Sequence, residues 1–136
     1  MKPVIILAAL AIPVLAIAAA APTPTVTPVM RTSTTVVGQA LTAPPPGFDV
    51  AAVRTTIPPG AAITAHKHDY PRYTFVISGH IRLTDEETHQ SYDYGPGQAI
   101  VEPIGRWHSG QVIGAEPVEL IAFDQAPAGQ GNVVRR

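Results

Sequence analysis

A chain of 136 residues, 46% apolar and with 9 basic against 10 acidic side chains, has the length of one domain and lacks the cationic surface that nucleic-acid phosphates require. The absence of cysteine excludes thiol nucleophiles, disulfides, iron–sulfur clusters and thiolate metal sites. Any metal must be held by imidazole, carboxylate or carbonyl groups.

Met1-Lys2-Pro3 precedes an uncharged run from Val4 to Ala21 that closes on Ala18-Ala19-Ala20-Ala21. A basic start, an apolar stretch and small residues at its end read as a secretory signal peptide over 1–21, which directs the chain to the periplasm or the medium. Pro13 and the many alanines disfavour the alternative, an uncleaved anchor, which would be the chain's only tie to a membrane. Residues 22–31, with Pro22, Pro24 and Pro28 alternating with threonine, read as a linker without regular structure.

From Arg31 the texture becomes β-branched. Thr32 to Val37, ending at Gly38, predicts a first strand at an edge, and Pro44-Pro45-Pro46-Gly47 then forces a loop. Eight short apolar or alternating runs follow, separated by turn residues. They are Asp49 to Ile57, Ala62 to His66, Tyr73 to Ser78, Ile81 to Thr84, Ser91 to Tyr94, Gln98 to Val101, Gly110 to Ile113 and Val118 to Phe123. No apolar stripe of helical period persists among them, so the pattern predicts an all-β sandwich or barrel over residues 32–126, with 127–136 as a C-terminal tail.

Three of the five histidines have informative positions. His66 and His68, two apart on a strand, project from one face about 6.5 to 7 Å apart and reach one metal ion by tilting inward. His108 would join them from a neighbouring strand. Taken alone, the pair fits two surface imidazoles beside a turn equally well. His80 and His89 flank the polar stretch Thr84-Asp85-Glu86-Glu87-Thr88 and read as surface groups, and that acidic run lacks the calcium-loop pattern.

The spacing around the histidines is more specific. Gly60, His66, His68 and Gly79 follow G-x5-H-x-H-x10-G, and Gly97, Pro103, Gly105 and His108 follow G-x5-P-x-G-x2-H. The two stretches, in this order, resemble the two signatures of the cupin superfamily, and the resemblance covers about Thr32 to Asp124. It implies a single antiparallel jelly-roll β-barrel with a metal inside near one mouth, bound by His66, His68 and His108. It implies a divalent cation such as Fe, Mn, Ni, Cu or Zn, and a small-molecule ligand or substrate. Homodimers are common among such proteins, and the predicted strand at Thr32 to Val37 offers a pairing edge. Gly79 is expected to close a hairpin between Tyr73 to Ser78 and Ile81 to Thr84.

The family's first signature usually carries a glutamate ligand where this chain has Arg72. Three readings follow. The metal keeps three histidines and open positions while Arg72 binds an anionic substrate; Arg72 pairs with a carboxylate such as Asp69 or Glu102; or the guanidinium takes the metal's place and leaves a metal-free anion pocket. Arg72 and Glu102 are the candidate catalytic groups, and Glu102 faces the side of His108 only if the Pro103 to Gly105 turn intervenes. Arg72, Tyr73 and Thr74 form the expected substrate-binding stretch. Trp107 is expected to pack outside the metal cluster. A small-molecule oxygenase, isomerase or lyase on one hand, and a non-catalytic module holding a small anion or carbohydrate on the other, both suit this set.

Overall fold

The structure, a computed structural model, describes residues 23–44 and 46–136; the signal peptide expected over 1–21 lies outside them. The described residues contain no helix and nine strands: β1 (Phe48–Ile57), β2 (Ala62–Lys67), β3 (Arg72–Ser78), β4 (Ile81–Asp85), β5 (Ser91–Tyr94), β6 (Ala99–Val101), β7 (His108–Val112), β8 (Val118–Pro127) and β9 (Val134–Arg135). They form a four-stranded sheet in the order β1-β8-β3-β6 and a five-stranded sheet in the order β5-β4-β7-β2-β9, with antiparallel pairing between neighbouring strands throughout. This is the expected all-β jelly-roll barrel.

Alternation along the strands builds its interior. Along β8, Val118, Leu120, Ala122, Asp124 and Ala126 are buried while their neighbours are half-buried or exposed, and Val76 on β3 and Ile81 and Leu83 on β4 complete the pattern. Ile57, Val76, Ile81, Leu83, Ile100, Val112, Val118 and Leu120 form one apolar cluster between the sheets. Polar residues occupy the rest of the interior, with His66, His68, Thr74, Glu102, His108 and Asp124 all buried.

Three expectations are corrected. The predicted strand at Thr32 to Val37 is instead a tight reversal: Thr34 bridges Ala40, the Thr35 amide donates to the Gln39 carbonyl, and Gly38 turns the chain at φ +82°. The β-branched run forms no ladder because its one bond to the barrel is from the Val36 amide to the Val101 carbonyl of β6, with no continuous strand pairing around it. That segment therefore offers no strand edge; β1 is a free edge instead.

Gly79 does have positive φ, at +73°, but β3 and β4 lie in different sheets, so its turn is a crossing between layers and not a hairpin. A methyl group there would lie on the Pro117 carbonyl and the Val118 backbone. Finally, the residues after 126, read from the sequence as a tail, are built into the barrel. β8 continues to Pro127, and β9 pairs with β2 at His66 and Lys67. Residues 23–31 are exposed and carry no regular structure.

Candidate metal centre

The three histidines arrive from adjacent strands of the five-stranded sheet. His66 on β2 is the register partner of His108 on β7, and a bulge between Ile63 and His66 adjusts the strand just before it. His68 lies one residue beyond β2, held by a bridge to Ile104 and by the Gly105 amide donating to its carbonyl at 2.7 Å. The rings gather with centroids 4.5 to 5.1 Å apart.

Their outward nitrogens are all engaged in the same way. Nδ1 of His66 faces the Thr64 carbonyl at 2.9 Å, that of His68 the Asn132 carbonyl at 2.9 Å, and that of His108 the Arg106 carbonyl at 3.0 Å. A carbonyl only accepts, so each Nδ1 donates its proton and each Nε2 is directed to a common centre, the arrangement in which imidazole binds a metal.

The fourth group there is Glu102. Its Oε2 is 3.0 Å from His68 Nε2 and 3.2 Å from His108 Nε2, while Oε1 accepts from the Thr74 hydroxyl at 2.5 Å. Glu102 follows β6 and keeps the inward face of buried Ile100, two residues earlier; its amide donates to the Arg72 carbonyl, continuing the β6–β3 ladder. The Pro103 to Gly105 turn intervenes as required, with Gly105 at φ +70°, and returns the chain to His108 on the same side. The expectation of a centre without a carboxylate is thus corrected: the missing glutamate is replaced from the next strand.

Ligand atoms of His66, His68, Glu102 and His108 all lie within 4.8 Å of one another. Donors about 2.0 to 2.2 Å from one ion lie about 3 to 4.4 Å apart, so the set need contract by only a few tenths of an ångström to close on one ion. Three imidazole nitrogens and one buried carboxylate converging on a point are the donor set that a divalent cation uses. The residues fit a divalent metal.

Burial alone would raise the Glu102 carboxyl, but hydrogen bonds from His108, His68 and Thr74 and the nearby His68 charge overcome it and hold the group well below the usual carboxylate range. Burial lowers His66 to about 4 against the pull of its Thr64 bond, keeping that ring neutral and able to bind a metal at ordinary pH.

Arg72 does not enter the cluster. Its Nε and Nη2 donate to the two oxygens of Asp124 on β8 at 2.8 and 2.6 Å, a forked pair between residues directly opposite in the sheet. Burial opposes its charge, but Asp124 and the field of Glu102 hold the guanidinium above its ordinary value. Of the three readings of Arg72, pairing with a carboxylate is the one observed, with Asp124 in place of Asp69 or Glu102; Asp69 takes Lys67 instead. A guanidinium in the metal's place is excluded by this geometry. Thr74, expected to bind substrate, lines the cavity and donates to Glu102. Tyr73 points to the opposite face of β3, its hydroxyl donating to Gln125 at 3.2 Å, and does not line the interior. Trp107 packs outside the cluster against Arg136, 4.6 Å from its ring, as expected.

Sequence reasoning missed Asn132. Besides the carbonyl that holds His68, its side chain accepts from the Tyr70 amide and donates to the Tyr70 carbonyl and to Asp124. One residue of the supposed tail therefore joins the His68 turn to the Arg72–Asp124 pair.

A cavity of about 180 Å³ opens between the sheets beside the centre. His66, Glu102 and His108 line it together with Ile81, Leu83, Ile100 and Leu120, and Arg72, Val133 and Arg135 also contribute to its wall.

Comparison with known proteins agrees with this geometry. The family model described as Cupin domain matches residues 53–124. Among solved structures, an oxalate decarboxylase of Bacillus subtilis with Mn(II) centres is 25% identical at a TM-score of 0.56, over 62% of this chain and 23% of that one. A DMSP lyase from Ruegeria pomeroyi is 21% identical at 0.54, over 62% of this chain and 42% of that one. An uncharacterised protein with a double-stranded β-helix domain from Klebsiella pneumoniae is 25% identical at 0.52, over 61% and 67%. The chain thus spans less than half the length of the decarboxylase and of the lyase. No curated protein matches.

Proposed function

The chain belongs to the cupin family, and from that premise we propose that it is a divalent-metal enzyme acting on a small molecule bound between its two sheets. The observation that carries this reading is the set of three Nδ1 atoms tied to backbone carbonyls, which directs three Nε2 atoms and the Glu102 carboxylate to one buried point. The Mn(II) centres of the decarboxylase, on a similar fold, support the same class of ion here.

Four protein ligands bear on which ion that is. They close the sphere of a tetrahedral ion but leave two positions on a six-coordinate one, so turnover favours Mn(II), Fe(II) or Ni(II) over Zn(II). When bound, such an ion supplies Lewis acidity toward a carbonyl or carboxylate and, for Mn(II) or Fe(II), one-electron chemistry. The chain's own residues prepare the site. Thr74 fixes the carboxylate of Glu102, which serves as a metal ligand. The apolar wall of Ile81, Leu83, Ile100 and Leu120 excludes water from one side of the cavity, which raises the strength of every charge interaction inside it.

The test is turnover of a panel of small carboxylic acids and carbonyl compounds, with and without dioxygen. Turnover should stop on chelation, return when Mn(II) or Fe(II) is added back, and be lost in Glu102→Gln. Turnover indifferent to chelation would contradict the reading. Absence of turnover of any compound by the fully loaded protein would favour the non-catalytic binding module.

Residues 1–21 support export to the periplasm or medium, and a mature N-terminus near Pro22, found by mass spectrometry of the secreted chain, tests it. A homodimer, expected from the resemblance, is best served by the free edge β1, exposed along all but its last residue, with Phe48, Val50 and Phe123 exposed around it. A monomer mass by light scattering at micromolar concentration would contradict it.

A further inference from the structure

We propose that Arg135 is the residue that recognises the charge of the ligand, and that the ligand is a small organic anion with a compact apolar part. This rests on the metal-centre reading. A cavity of about 180 Å³ is close to the size that admits a benzene-like molecule in a dry protein interior, roughly 150 Å³, so the ligand has on the order of five to eight non-hydrogen atoms.

Its charge follows from the wall. Glu102 is the one carboxylate among the described residues lining the cavity, and it is committed to His68, His108 and Thr74. With a divalent ion beside it, that end of the cavity is net positive.

Two arginines also line it, and they differ. Arg72 is neutralised by Asp124 through two hydrogen bonds. Arg135 has no carboxylate partner among the described residues, although it also lines a second cavity together with Asp49 and Asp124. Asp124 is taken by Arg72 and Asn132, and Asp49 accepts the Gly129 amide.

Arg135 stands on β9 as the register partner of His66, one strand from a metal ligand. Arg135 is exposed on β9, and its guanidinium is therefore the uncommitted cation among the described residues of a positive cavity that Ile81, Leu83 and Leu120 also line. An anion with a short carbon body satisfies both ends, its carboxylate between the ion and Arg135 and its carbons against Ile81, Leu83 and Leu120.

The experiment is calorimetric titration of the Mn(II)-loaded full chain with propanoate and with propanamide, its uncharged counterpart of the same size. The wild type should prefer propanoate. Arg135→Ala should weaken propanoate binding about five- to tenfold, leave propanamide and Mn(II) affinities unchanged, and be largely rescued by Arg135→Lys. Arg135→Gln, which retains side-chain length, replaces the alanine variant if that one melts early. An alanine variant that binds propanoate as the wild type does overturns the proposal, as does a wild type with no preference or no binding of either compound. A wild type that takes up no Mn(II) contradicts the metal-centre reading alone. The same pair of titrations on the ion-free chain then decides the role of Arg135 by the same outcomes.

Discussion

At the scale of single residues, Glu102 and Thr74 show how a centre can move one of its ligands without losing it. The strand position that usually supplies the carboxylate holds Arg72, and the glutamate comes from the end of the neighbouring strand, two residues beyond Ile100 on the same inward face. That alternation is present in the sequence. It was hidden by Pro103, which made the direction of residue 102 relative to His108 depend on a turn whose path only the structure shows. The hydrogen bond from Thr74 fixes the carboxylate, so Thr74→Val should weaken metal binding about tenfold, read by competition with a fluorescent chelator, and should also cost the metal-free fold about 1 kcal/mol or more by leaving a buried carboxylate oxygen unpaired. His66 sets the pH response. Its folded value near 4 lies below the unfolded 6.5, so the unfolded state takes up the proton first as pH falls. The metal-free protein should keep its full stability above pH 6.5 and lose about 3 kcal/mol between 6.5 and 4 from this group. The lowered carboxyl of Glu102 adds to the loss as pH falls below its ordinary value of 4.5. Denaturant titrations across that range check it, and stability that rises on acidification would contradict it.

Among the elements, the strands were legible because each alternates or carries an apolar run between turn residues. Seven of the eight later runs coincide with observed strands to within about two residues at each end, and the eighth, Val118 to Phe123, extends to Pro127. Pairings distant in sequence were not legible. Arg72 and Asp124 are separated by 52 positions and meet only because β3 and β8 are neighbours in this register. The pair is largely buried, and removing one partner leaves an uncompensated charge. Asp124→Ala should cost about 3 kcal/mol or more in unfolding free energy, whereas the double change Arg72→Met with Asp124→Leu should restore most of it. A double variant no more stable than the single one would show that the pair contributes more than mutual neutralisation. Gly79 belongs to this scale as well. Gly79→Ala adds a methyl group against the Pro117 carbonyl at a positive φ and should lower the melting temperature by several degrees, a change measured directly by thermal unfolding.

For the molecule as a whole, two sheets enclose an apolar cluster at one level and a polar centre at another, and the C-terminal residues complete the second. That last part was illegible in the sequence because Asn132 acts through its backbone carbonyl, and Arg135 through its place in the register beside His66; neither leaves a pattern in residue type. The signature spacings, by contrast, located all three histidines, since spacing of glycine, proline and histidine records the turns that bring the strands together. The central claim is that His66, His68, Glu102 and His108 hold one divalent ion. Elemental analysis of the untagged mature chain, after dialysis against Mn(II) and then metal-free buffer, tests it most directly. About one equivalent of metal per chain, falling to near zero in both His66→Ala and Glu102→Gln, is the predicted result. A wild-type chain with no bound metal, or full occupancy in Glu102→Gln, would contradict it.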